Sequence, residues 1–105
     1  TNNILNPSTP YGDCSLIRLA NLHANLLQIA QPAELDDIFR MITNRSARIL
    51  NLPDYGIAVG HPADVVVIDS VSPDRAIAEV RQPVAAFKRG RQTMSWEPAI
   101  LLRPT

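Results

Sequence analysis

The sequence has few of the side chains from which most metal and nucleophilic centres are built. Its 105 residues include one cysteine and two histidines, and aromatic residues make up 5% of the chain. A single cysteine excludes a disulfide within the chain and suits a reducing compartment. The histidines are not spaced as a ligand pair, and one histidine without partner ligands does not make a metal site.

Net charge and long apolar runs are also absent. Ten Lys and Arg residues balance ten Asp and Glu residues, so no overall field favours nucleic acid or an anionic membrane. No apolar run reaches the ~18 residues needed to span a bilayer, and there is no secretory signal pattern. The composition therefore predicts a cytoplasmic protein without a nucleic-acid or membrane partner.

The first half of the chain shows helical periodicity. Residues 1–12 read as an extended loop, and Asp13 or Ser15 can cap a helix that runs to Ala30. This helix is apolar almost all round, so it needs cover on more than one side. Pro32 opens a second helix that Pro53 ends. The apolar stripe of the second helix consists of Leu35, Ile38, Phe39, Ile42 and Ile49.

The second half favours strands. Four consecutive β-branched residues, Val65 to Ile68, predict a strand that is covered on both faces and lies at the centre of this half. A short helix from Ser72 to Val80 follows. Two further strands, Val84 to Lys88 and Arg91 to Ser95, flank a two-residue hairpin turn. The tail, Trp96 to Thr105, reads as an extended arm.

The residues that join the two halves carry a family resemblance. The stretch from Ile42 to Asp69, ITNRSARILNLPDYGIAVGHPADVVVID, closely resembles the C-terminal signature of metal-dependent amidohydrolases. The members of that signature are Ala47, Arg48, Leu50, Gly56, Gly60, Ala63 and Asp64 through Ile68. Upstream, Asn6-Pro7 and Pro10 to Gly12 resemble the segment after the last barrel strand in the cytosine deaminase branch.

The resemblance implies a fold and a chemistry. Members fold as a (β/α)8 barrel with a small β-sandwich, and they hydrolyse C–N bonds of small nitrogen heterocycles such as cytosine with a divalent metal, Zn or Fe. The chain is then an α+β piece: residues 1–53 hold two helices from the end of the barrel, and residues 54–105 hold a small sheet from the C-terminal part of the sandwich. No cofactor is expected in this chain.

The resemblance also implies that a catalytic residue is replaced. Asn2 stands where the family has its last metal-binding Asp. A carboxylate binds the metal and relays a proton from the metal-bound water, whereas a neutral amide does neither well. No catalytic, cofactor-binding or metal-binding residue is therefore expected in the chain, and the chain alone is expected to be inactive.

Other reactive side chains have plain structural interpretations. His23 lies among apolar residues and is expected to be hydrogen-bonded or half-buried, and His61 is expected in a solvent-facing turn. Cys14 is interpreted as a small buried hydrophobe, with a reactive thiol near a helix N-terminus as the alternative. Asp64 is expected to tie down the turn before the strand. A basic cluster of Lys88, Arg89 and Arg91 is expected to be a solvated turn.

Two hypotheses about function follow. The first is the C-terminal portion of a cytosine deaminase-like amidohydrolase, whose partner is the remainder of the barrel. The second is a free-standing, noncatalytic module derived from an amidohydrolase, which associates with itself as a homo-oligomer. The broad apolar surface of the first helix favours a partner under either hypothesis.

Overall fold

A computed structural model describes residues 5–7 and 11–104, and this part of the chain is an α+β structure. The α+β prediction is confirmed. The elements are α1 (Leu16–Leu26), α2 (Pro32–Met41), α3 (Asn44–Ile49), β1 (Val65–Ile68), α4 (Pro73–Ala78), β2 (Pro83–Lys88) and β3 (Arg91–Ser95). Among the described residues, no helix is both long and apolar enough to cross a membrane.

Helix α1 is shorter than the predicted helix, which ran to Ala30. It begins after Ser15, whose Oγ accepts a hydrogen bond from the backbone N–H of Arg18 at 3.2 Å. It ends because Gln28 adopts a left-handed conformation with φ of 53°. The N–H of Ile29 then bonds the carbonyl of Ala24, which closes the helix end and turns the chain toward α2.

The predicted second helix is divided into α2 and α3. The break lies at Thr43, whose φ of −127° and ψ of −100° are not helical. Its Oγ1 donates to the carbonyl of Phe39 at 2.9 Å, a local bond that competes with the helical pattern. Helix α3 ends at Ile49, before Asn51, which is also left-handed. The apolar periodicity continued across the break and therefore concealed it.

The core lies where α1, α2 and α4 meet. It consists of Ala20, Ala24, Leu35, Ile38 and Ile77, and Ile29, Phe39 and Ile42 pack against it. Only the stripe of α1 that contains Ile17, Ala20 and Ala24 is buried. Outside this stripe, α1 and its C-cap carry exposed leucines that we call the leucine face: Leu16, Leu22, Leu26 and Leu27.

Helix α4 joins the second half of the sequence to the first. It packs against both α1 and α2, and the Ile77 side chain is completely buried between them. The side-chain amide of Asn21 in α1 donates to the carbonyl of Ile77 at 2.9 Å. The division into residues 1–53 and 54–105 stays a prediction.

The three described strands form one antiparallel sheet in the order β1-β2-β3. Val66 pairs with Ala86, and Ala86 pairs with Met94. The prediction that β1 lies at the centre is therefore wrong, because β2 pairs with both neighbours. The predicted cover on both faces is also wrong for this chain, since Val66 is 54% exposed and Val67 is 47% exposed.

The predicted hairpin turn is confirmed. Lys88 pairs with Arg91, which leaves Arg89 and Gly90 as the two turn residues. Both have positive φ, 49° and 78°, as a type I′ turn requires. This turn matches the right-handed twist of the strands on either side.

The tail after β3 has no helix or strand through residue 104. The N–H of Trp96 bonds the carbonyl of Val84, and beyond it Ile100, Leu101 and Leu102 are exposed. The Cα radius of gyration is 15.5 Å, whereas a compact domain of this length has about 13 Å. The chain is therefore more extended than a self-contained domain of its size.

Candidate functional site

The segment that enters α1 is the part of the chain that the resemblance associates with catalysis. Asn2 lies outside the described residues. Closer to the helix, Asp13 Oδ1 accepts from the N–H of Ser15 at 3.0 Å, and Asp13 Oδ2 lies 3.3 Å from the guanidinium of Arg18. Gly12 and Cys14 have positive φ. Two contacts from one carboxylate thus hold the end of this segment against the first turn of α1.

Cys14 and His23 lie in more open positions than the sequence indicated. Cys14 is exposed with φ of 61°, so the interpretation as a buried hydrophobe is wrong. Cys14 lies before the N-cap residue Ser15 and therefore outside the buried stripe of α1. His23 is also exposed, and the prediction that it is half-buried is wrong. The reason is that His23 lies outside the buried stripe of α1, which consists of Ile17, Ala20 and Ala24.

His61 stabilises the loop between α3 and β1. Its Nδ1 lies 3.1 Å from the carbonyl oxygen of Gly56, and its backbone N–H donates to the carbonyl of Ala58. The ring is partly covered rather than fully solvent-facing. Its role is to close the turn over residues 56–61, and it has no described metal-ligand neighbours.

Asp64 has the structural role that was predicted, but it fastens a different turn. Its Oδ1 accepts from the N–H of Arg89 at 2.8 Å, and its Oδ2 lies 2.5 Å from Lys88 Nζ. The carbonyl of Ala63 also accepts from the N–H of Gly90. The start of β1 is thereby joined to the β2–β3 hairpin. The hydrogen bond from Lys88, and then that from Arg89, lowers the pKa of the Asp64 carboxyl group.

The basic residues of the hairpin do not form a free cationic patch. Lys88 is paired with Asp64, while Lys88, Arg89 and Arg91 are all exposed. This arrangement agrees with the interpretation as a solvated turn. It leaves little concentrated positive charge for a polyanionic partner.

A groove that the sequence did not indicate lies between the end of α4 and the tail. It has a volume of about 380 Å³. Glu79 bonds Arg81 at 2.8 Å and also pairs with Arg75. Arg81 and then Arg75 lower the pKa of Glu79. The lining residues are Asp69, Glu79, Val80, Arg81, Gln82, Val84, Trp96, Pro98, Ala99 and Leu101.

Periodicity could not have revealed this groove, because residues two apart such as Glu79 and Arg81 do not face each other on a helix. They meet because α4 ends at Ala78 and Val80 turns with φ of 52°. The carboxylates in the groove are matched by guanidinium groups. Nothing in its donor set resembles a metal or nucleophilic centre.

The described residues do not fit a divalent metal. Residues 5–7 and 11–104 contain no group of three His, Cys, Asp or Glu side chains that could hold one. Structural and catalytic zinc sites need at least three protein ligands at bonding distance. A catalytic metal would therefore need ligands from other residues.

Both the order of elements and the Asp64 contacts agree with the C-terminal signature seen in the sequence. The profile of the Amidohydrolase family matches residues 3–95. The chain belongs to the amidohydrolase family, and it has a cytosine deaminase-like fold.

Individual relatives extend this result. The N-isopropylammelide isopropyl amidohydrolase of Pseudomonas sp. (strain ADP) is 34% identical over 92 residues, which cover 87% of this chain and 23% of that protein. The crystal structure of 5-methylcytosine deaminase from Klebsiella pneumoniae with 5-fluorocytosine superposes with a TM-score of 0.86 at 22% identity. The superposition covers 97% of this chain and 27% of the deaminase chain.

The same deaminase with phosphonocytosine gives a TM-score of 0.84 at 22% identity, and the match covers 96% of this chain and 27% of that chain. At this identity the likeness shows the fold alone. The chain thus spans about a quarter of the length of the relatives it matches. Amidohydrolases generally use a divalent metal. The described residues of this chain contain no group of side chains that could hold one.

Proposed function

We propose that this chain forms the C-terminal portion of a hydrolase that cleaves C–N bonds of a small nitrogen heterocycle such as cytosine. The observation that carries the proposal is the superposition of 97% of the chain on a quarter of 5-methylcytosine deaminase, together with the family match over residues 3–95. The names of two relatives point to hydrolysis at C–N bonds of related compounds. A cytoplasmic setting is part of the proposal, supported by the single cysteine.

In this proposal the chain alone is inactive. When bound in the complete enzyme, the metal, Zn or Fe, would activate a water molecule for attack on the substrate carbon. The described residues do not offer ligands for it. Asn2, at the position of the family's Asp, would contribute a neutral amide in place of a carboxylate.

The role of the chain is then to cover and complete the rest of the enzyme, as the last helices of a barrel and part of a β-sandwich. The leucine face supports a partner, because its four exposed leucines lie outside the buried stripe of α1. Strand β1 supports one too, since its valines are half exposed and only one of its edges pairs with a described strand. Burying apolar surface at about 25 cal/mol per Å² would favour docking of both.

The alternative is a free-standing, noncatalytic module that associates with itself. The specific observation in its favour is the extended tail, where Ile100, Leu101 and Leu102 are exposed and can exchange between two copies. Closed dimers are the commonest oligomers, so a twofold pairing of leucine faces is the simplest arrangement.

The two candidate functions predict gene products of different length. Intact-mass measurement of the native protein distinguishes a species near 11.6 kDa, which supports the module, from a much longer polypeptide, which supports the hydrolase portion. The longer polypeptide is then assayed for ammonia or amine release from cytosine, 5-methylcytosine and N-isopropylammelide. The separate 105-residue chain is the control and should release none.

The alignment at Asn2 has its own test in the longer polypeptide. Asn2→Asp restores a carboxylate and should raise kcat, whereas Asn2→Ala should lower it or leave it unchanged. Equal rates for the two variants would contradict the placement of Asn2 at the family's catalytic position. A complete protein that releases nothing from any of these substrates would contradict the proposed chemistry.

A further inference from the structure

Two side-chain hydrogen bonds fasten α1 and its N-cap residue to α4 and to the segment that joins α4 to β2. Ser15 Oγ donates to Gln82 Oε1 at 3.2 Å, and Asn21 Nδ2 donates to the carbonyl of Ile77 at 2.9 Å. Both bonds are partly buried, and their partners are 67 and 56 residues apart in the sequence. Six residues of helix correspond to about 9 Å along its axis. Two attachments at that separation fix the direction of α1 as well as its position.

The segment that holds Gln82 is itself restrained. The N–H of Arg81 donates to the carbonyl of Ala76 at 2.9 Å, and Arg81 Nε bonds Glu79 Oε2 at 2.8 Å. Gln82 then leads directly into β2, which begins at Pro83. Gln82 is therefore an anchored acceptor rather than a mobile surface side chain.

Ser15 transmits this restraint to the residues before the helix. Its Oγ accepts from the N–H of Arg18 while it donates to Gln82, and its own N–H donates to Asp13 Oδ1. Asp13 also pairs with Arg18. Asp13 is thus connected through Ser15 to Gln82, the residue before β2.

We infer that Gln82 is a positioning residue, which holds Ser15 and the adjoining residues 11–14 in place at the substrate entrance of the complete hydrolase. The inference rests on the proposed function, because in a barrel enzyme the loop that leads from a strand into the next helix lies at the active-site face. It assigns to the start of β2 a part in substrate binding. Gln82 itself does not touch the substrate.

Substitutions at Gln82 separate this role from helix capping, because they leave Ser15 in place. Gln82→Met removes the acceptor and keeps the side-chain length, while Gln82→Glu keeps an oxygen that accepts from Ser15. Gln92→Met is the matched control, since Gln92 is exposed on β3 and its Nε2 bonds only the carbonyl of Met94. Each variant is made in the complete gene product.

The first measurement is hydrogen–deuterium exchange of the peptide that covers residues 11–19, followed by mass spectrometry. Loss of one hydrogen bond should raise its exchange about threefold to tenfold in Gln82→Met, and Gln82→Glu should remain close to the parent. The second measurement is steady-state kinetics of C–N hydrolysis. KM should rise by a similar factor in Gln82→Met, kcat should change by less than about twofold, and Gln82→Glu should restore KM.

Three results would overturn the inference. If Gln82→Met matches Gln92→Met in exchange, the hydrogen bond does not restrain the segment. If exchange rises but KM does not, the segment is restrained but does not serve the substrate entrance. If exchange rises and the complete protein hydrolyses none of the substrates, the proposed function fails and the bond is only structural. The exchange measurement thus shows whether the Gln82 hydrogen bond restrains the segment, independently of whether the proposed hydrolase activity exists.

Discussion

Removing the side chain of Ile77 should disrupt the junction of the three core helices. Ile77 has 0% exposure and packs with Ala20, Ala24, Leu35 and Ile38. Ile77→Ala deletes three carbon atoms, which at about 0.8 kcal/mol each gives about 2.4 kcal/mol of lost burial. A residual cavity of about 50 Å³ at about 24 cal/mol per Å³ adds about 1.2 kcal/mol. The expected loss in free energy of unfolding is therefore about 3.6 kcal/mol.

The assay is urea unfolding followed by circular dichroism, with Ile57→Ala as the matched control. Ile57 undergoes the same chemical change, but it is 94% exposed in the loop before β1. Its variant should unfold within about 0.5 kcal/mol of the parent. If the two variants unfold at the same urea concentration, Ile77 does not join the helices and the described core is wrong.

Four further predictions follow from the same contacts. Asp64→Asn should destabilise the chain at neutral pH. Lys88 and Arg89 lower the pKa of Asp64 in the folded state, so the Asp64 carboxylate stabilises the fold above the ordinary carboxyl pKa. The difference in urea midpoint between the parent and the variant should therefore disappear below about pH 4. Val66→Asp should change the stability of the separate chain by less than about 1 kcal/mol, because Val66 is half exposed. In a complete protein that buries Val66, the same substitution should cost several kcal/mol. Thermal melts of the variant in the separate chain and in the complete protein test this difference. Elemental analysis after dialysis should find no stoichiometric Zn or Fe in the separate chain, and one metal per chain would contradict the ligand argument. Light scattering at micromolar concentration should find the separate chain associated, and a monomer that is unchanged on dilution and binds little hydrophobic dye would refute the need for a partner.

Local signals in the sequence predicted the type and order of most elements. Ser15 as a cap, Pro32 at a helix start, and Arg89-Gly90 as a turn all have the roles that their backbone chemistry favours. The ends of helices were missed where residues other than glycine adopt a left-handed conformation, as at Gln28 and Asn51. Such conformations depend on tertiary packing, and the side chains at those positions carry little signal of them.

The contacts of the candidate site were less predictable than the elements. Asp64 could be assigned a structural role from the signature, but its partners Lys88 and Arg89 are more than 20 residues away. The bond between Ser15 and Gln82 spans 67 residues, and neither residue belongs to a periodic pattern. Long-range polar pairs of this kind follow from the packing of α4 on α1, which no single stretch of sequence encodes.

Apart from His61, which is more covered than expected, the errors about burial have one direction. Val66, Val67, Cys14 and His23 were each expected to be covered, and each is more exposed than expected. A run of β-branched residues, or a helix that is apolar all round, is typical of an element that is buried in the folded protein. Where the apolar pattern exceeds the burial that the chain achieves alone, the proposed function assigns the excess to surfaces that the rest of the enzyme would cover. These surfaces are the leucine face and β1, and relatives that are about four times longer have enough additional chain to cover both.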